Sequence, residues 1–148
     1  MILLSHRSML AVCAVVDIAL HARPTPVAAK ALASRHNLPP RHLETLLQAL
    51  VRANILKGVR GPRGGYELAR ERRRISMADI VRAALNEGDD ETSGAQSRLL
   101  NEVVVPLARD AGQQFLTSLE AITLEDLCKK AEGAKVFGPL EPMADFTI

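Results

Sequence analysis

The sequence contains no tryptophan, one tyrosine and three phenylalanines in 148 residues. A reader of single-stranded RNA stacks bases on exposed aromatics. Tyr66 is the one aromatic residue of the first half, so no stacking platform is available there. Cysteine is as scarce: Cys13 and Cys128 stand alone, which excludes a disulfide framework and a paired-cysteine zinc site. The four histidines show no metal spacing, and His36 and His42 fall across a proline-containing turn. Long apolar runs are missing too. The stretch 8–16 is uncharged but falls far short of the roughly 18 residues a spanning helix needs, so no membrane association is expected. "MILLSHRSML" is broken by His6 and Arg7 with no positive segment before it, so no secretory signal is expected and the chain reads as cytoplasmic. No nucleophile–base pair, carboxylate cluster or phosphate loop supports an enzyme.

The length fits one domain, or one small domain plus an appendage, and 47% apolar residues suffice for a core. The net charge of +2 hides an asymmetry. Residues 1–75 carry 13 Lys/Arg against 4 Asp/Glu, and residues 76–148 carry 6 against 13. A basic front half suits a polyanion; two solvated faces with no partner would look the same.

Helical patterns dominate. Ser8 precedes "MLAVCAVVDIALH", apolar almost all round and therefore a buried helix, with Cys13 as a small core residue. "VAAKALASRH" has a small apolar face, Asn37 marks a left-handed turn, and Pro39 and Pro40 suit the start of a third helix over 40–54. On that helix Leu43, Leu46, Leu47 and Leu50 share one face. Arg41, Thr45, Gln48 and Arg52 lie opposite, with His42 and Glu44 on the flanks. Two short helices joined by a tight turn form a helix-turn-helix whose second helix can enter a major groove, although a merely solvated face has the same pattern.

"GPRGG" lies between the β-type runs "ILKGVR" and "YELA". Pro62 presets a turn, and Gly64 and Gly65 supply positive φ, which gives a hairpin with a glycine-rich tip. A nucleotide loop would require Lys followed by Ser or Thr and then a helix, whereas Tyr66 and a strand follow here. The hairpin is a wing whose Arg60 and Arg63 can reach a minor groove. Lys57, Arg70, Arg72, Arg73 and Arg74 can add phosphate contacts or remain solvated.

"SMLAVCAVVDIALHA", "LPPRHLETLLQALVRANILKGVRGPRGGYELAR" and "ISMADIVRAAL" together resemble the Rrf2 family of winged helix-turn-helix regulators, in order and spacing. The resemblance implies a mainly α fold: a winged helix-turn-helix with a small β-hairpin wing and a long C-terminal dimerisation helix. It also implies a homodimer on a palindromic double-stranded operator, most often as a repressor. The family's base-reading glutamate falls on Glu44, where it can accept from a cytosine amine, and its wing arginine falls on Arg60. The candidate DNA-contacting set is Arg41, His42, Glu44, Thr45, Gln48, Arg60, Gly61, Arg63, Gly64 and Tyr66. Cluster-bearing members carry three cysteines after the helix matching 76–86. "NEGDDETSGAQSR" has none, so neither an iron–sulphur cluster nor another cofactor is expected.

"SMAD" and "TLED" read as capping boxes that open helices after Ser76 and Thr123. Residues 87–95 form an acidic flexible loop by composition. Leu100, Val104, Leu107, Ala111, Phe115, Leu119 and Ile122 recur at three- and four-residue spacing, the stripe of a dimerisation helix about 25 residues long. Pro106 kinks that helix or marks its start. Cys128 sits beside Lys129 and Lys130, so an inert thiol and a redox-active one are both open. The expected organisation is a DNA-binding domain at 1–86, the loop at 87–95, dimerisation helices at 96–132 and a tail at 133–148. Two other classes stay open. One is a protein-interaction module that no longer binds DNA; the other is a sensor with non-cysteine ligands answering an unidentified small-molecule or protein effector.

Overall fold

The computed structural model describes residues 4–85 and 97–138. The expected acidic loop and the tail beyond Gly138, including Phe146, lie outside the described residues. Helix α1 spans His6–His21 and buries Ala11, Val15 and Ile18. It starts two residues before the expected Ser8 because Ser5 is the cap: its hydroxyl accepts from the Ser8 N–H at 3.1 Å. Ser8 is buried, its Oγ 2.8 Å from that of Ser5. Cys13 turns outward and is exposed, correcting its expected place in the core.

Helix α2 (Ala29–His36) ends at Asn37, which is left-handed with φ 52°. Helix α3 (Pro40–Arg52) opens on a proline whose missing N–H has no helical partner to lose. Leu43, Leu46, Leu47 and Leu50 are all buried. At about 1.5–3 kcal/mol for each buried leucine, packing stabilises a helix whose length is marginal in water. Strands β1 (Leu56–Val59) and β2 (Gly65–Leu68) pair antiparallel, Leu56 opposite Leu68 and Val59 opposite Gly65. A residue before α2 joins them: Val27 and Tyr66 exchange backbone hydrogen bonds of 2.9 and 2.8 Å.

A 3-10 turn (Arg72–Arg74) leads to α4 (Met77–Leu85), and both expected capping boxes are present. Ser76 Oγ accepts from the Asp79 N–H at 3.0 Å while the Asp79 carboxylate accepts from the Ser76 N–H. Thr123 and Asp126 repeat this at α6 (Leu124–Gly133). The two helix starts are joined by backbone bonds of 2.8 Å from Met77 to Ile122 and from Leu124 to Ile75. Leu119, Leu124 and Cys128 are thereby buried in the same core as α1 and α4.

The long helix is built in two registers, a π-helical turn (Leu100–Val104) running directly into α5 (Val105–Glu120). Pro106 has no N–H and would crowd the carbonyl four residues back, so the wider turn in front of it relieves the conflict. The expected stripe divides. Phe115, Leu119 and Ile122 pack on this chain's own core. Val104 is 47% and Leu107 65% exposed, Ala111 is exposed as well, and Leu100 is half-buried.

Candidate nucleic-acid interface

Two elements present polar groups outward. The first is α3. With its leucines inward, Arg41, His42, Glu44, Thr45 and Gln48 are exposed. Thr45 turns its hydroxyl back onto the Arg41 carbonyl at 3.3 Å. The side chains of Arg41, His42, Glu44 and Gln48 have no hydrogen-bond or ionic partner among the described residues. Donors and acceptors on one helical face are therefore held ready for an outside partner.

The second element is the wing. Pro62 occupies the second position of a turn closed by the Gly64 N–H donating to the Gly61 carbonyl at 2.9 Å. Arg60 precedes that turn and Arg63 is its third residue, and both are exposed. The glycine chemistry differs from expectation. Gly61 takes the positive φ, at 117°. Gly64 and Gly65 are needed for space instead: a Cβ on Gly64 would lie 2.3 Å from the Val59 carbonyl oxygen, and one on Gly65 2.4 Å from that of Val27. Tyr66 is the second residue of β2, opposite Gly58, half-buried against the core, and its backbone ties the hairpin to Val27. It anchors the wing rather than tipping it.

One buried group escaped the sequence reading. Asp17 is fully buried in α1. Arg35 grips it with two bonds of 2.8 and 2.6 Å, His36 Nε2 stands 2.7 Å from it, and His21 Nδ1 is 3.1 Å away. Burial alone would push its carboxyl up, but the Arg35 and His36 hydrogen bonds, with the charges of Arg35 and His21, outweigh that and hold it below the usual range. The same contact raises Arg35 above its ordinary value. Phe137 closes over the cluster, its ring edge-on to His21 at 4.8 Å and to His36 at 6.2 Å. This clamp fixes the end of α2, and hence the turn into α3, against α1. Its signal in the sequence was a lone carboxylate inside an apolar helix, which folds only with a partner.

Burial pushes Cys128 up despite the nearby Arg72 charge, and the packed walls beside exposed Cys13 raise it as well. Among the described residues no three His, Cys, Asp or Glu side chains are grouped to hold a metal. No helix among them is long and apolar enough to cross a membrane.

A helix-turn-helix followed by a two-stranded wing defines a winged helix-turn-helix protein, the class that reads duplex DNA with its second helix. The family model for Rrf2, described as iron-dependent transcriptional regulators, matches residues 4–130. An HTH-type transcriptional regulator of Synechocystis is 39% identical over 132 residues, covering 84% of this chain and 86% of that one. Among solved structures, T. potens IscR superposes with a TM-score of 0.69 at 35% identity, covering 89% of this chain and 90% of that one. CymR, the global cysteine regulator of B. subtilis, gives 0.65 at 26%, covering 88% and 98%. The chain belongs to the Rrf2 family of transcriptional regulators and is a DNA-binding regulator. The family description names iron, but two cysteines on separate helices, one buried and one exposed, do not fit a thiolate-held cluster.

Proposed function

We propose that two copies of this chain bind a palindromic operator and repress transcription, without an iron–sulphur cluster. In this reading α3 enters the major groove. Glu44 accepts from a base amine, Arg41, His42 and Gln48 reach base edges or phosphates, and Thr45 offers its methyl to the groove. Arg60 and Arg63 enter the adjoining minor groove, with Gly61 and Gly64 keeping the tip slim enough to follow. The observation that carries the reading is that the exposed side chains of Arg41, His42, Glu44 and Gln48 have no partner among the described residues, on a helix followed by a hydrogen-bonded turn that carries Arg60 and Arg63.

Dimerisation is supported by the part of the long helix its own core leaves uncovered. Leu99 is 66% and Leu107 65% exposed, with Val103 and Val104 at 47% each. A second copy covering this face would set two α3 helices at the roughly 34 Å spacing of successive major grooves. Selection of bound fragments from the source genome, followed by a mobility shift on the best fragment, tests the reading. Arg60→Ala should weaken specific binding while the fold stays intact. Unchanged affinity would remove the wing from the mechanism. A wild-type protein that retains no fragment would favour an interaction module.

A further inference from the structure

At the far end of the hairpin from its tip lies a depression of about 420 Å³. Arg23, Arg70, Arg72 and Arg73 line it, together with Leu68 and Ala69. Two of these arginines are tied down. Arg72 donates to the Ala19 carbonyl in the last turn of α1. Arg70 donates to the Asn54 carbonyl at 3.0 Å and to the Arg74 carbonyl at 3.2 Å, and it stands 3.9 Å from the Asp79 carboxylate. The side chains of Arg23 and Arg73 are exposed and have no hydrogen-bond or ionic partner among the described residues. Glu71 and Glu125 also border the depression, yet neither carboxylate pairs with these arginines.

The four arginines outnumber the two carboxylates, Glu71 and Glu125, that border the depression, and Arg23 and Arg73 are paired with neither, so the concavity favours an added anion. Their planar forks match phosphate oxygens, and Leu68 and Ala69 add an apolar surface for the rest of a small molecule. We propose that this depression binds a small anion carrying several phosphate groups, a site distinct from the duplex-reading surface.

The depression lies away from the two elements proposed to read the duplex. Arg70 is bonded at the C-terminal end of α3, about 20 Å along a 13-residue helix from the residues at its start. Recognition helices read bases with their N-terminal residues. The hairpin's four residue pairs add roughly 14 Å between the depression and the Arg60–Arg63 turn. An anion that drew Arg70 or Arg72 from its carbonyl partner would loosen the wing from α3 or α1, which links the site to operator affinity.

Calorimetric titration of the full chain with inorganic tripolyphosphate, in the absence of DNA, tests the site independently of the operator reading. One saturable site per chain is expected. The double substitution Arg23→Ala/Arg73→Ala should weaken it by about tenfold or more, and Arg60→Ala/Arg63→Ala should leave it unchanged. Both pairs are exposed, so circular dichroism should report a native fold for each. Absence of saturable binding, or equal loss in the two double variants, would overturn the proposal. So would a drop in duplex affinity on Arg23→Ala/Arg73→Ala as large as that on Arg60→Ala, because the arginines would then belong to the duplex interface.

Discussion

Replacing Asp17 by Asn keeps the shape of the side chain and removes its charge from beneath Arg35, His36 and His21. Removing one partner of a buried ion pair costs about 3–5 kcal/mol. Arg35 is 33% exposed, and His36 and His21 are 22% and 24% exposed, so they can rehydrate in part. The low end, about 3 kcal/mol, applies. For a chain of this size that corresponds to a fall in Tm of roughly 6–12 °C. Urea unfolding at fixed protein concentration measures it; the concentration must be held because association shifts the apparent stability. The pH dependence adds a second reading. Asp17 is lowered in the folded state, so its contribution is present above the unfolded carboxylate value near 4 and is lost as pH falls through the folded value. The gap between wild type and Asp17→Asn should be full at pH 7 and shrink below about pH 4. A variant within about 0.5 kcal/mol of wild type at pH 7, or a gap unchanged into acid, would refute the clamp.

Leu107→Asp should weaken self-association tenfold or more, as seen by sedimentation velocity, without unfolding the chain, because it puts a carboxylate into the exposed apolar face. Gly65→Ala should cost roughly 1–3 kcal/mol, because a Cβ there meets the Val27 carbonyl; faster amide exchange at Val27 and Tyr66 would report the loosened wing. Ser76→Ala should cost about 1 kcal/mol in thermal unfolding by leaving the Asp79 N–H without its cap.

What the sequence made legible was local. The inward leucines of α3, the left-handed Asn37, the paired capping residues at Ser76 and Thr123 and the hairpin ends all follow from spacings within one or two turns. What it hid depends on contacts between distant segments. Asp17 meets Arg35 and His36 across 18 and 19 residues. Gly65 is constrained by Val27 rather than by its own φ. Cys13 faces outward because Ala14, Val15 and Ile18 take the inner face of α1. Periodicity placed Leu107 and Leu119 on one stripe, yet only Leu119 reaches the core, because α5 runs on past α4.

The most direct test of the central claim is a hydroxyl-radical footprint of the wild-type chain and of Arg60→Ala on a duplex selected by the protein itself. Wild type should protect two patches related by dyad symmetry on one face of the helix, centred about 34 Å apart, with Arg60→Ala losing protection at the flanking minor grooves. A single unsymmetrical patch, or the same protection with and without Arg60, would contradict paired α3 helices and a minor-groove wing.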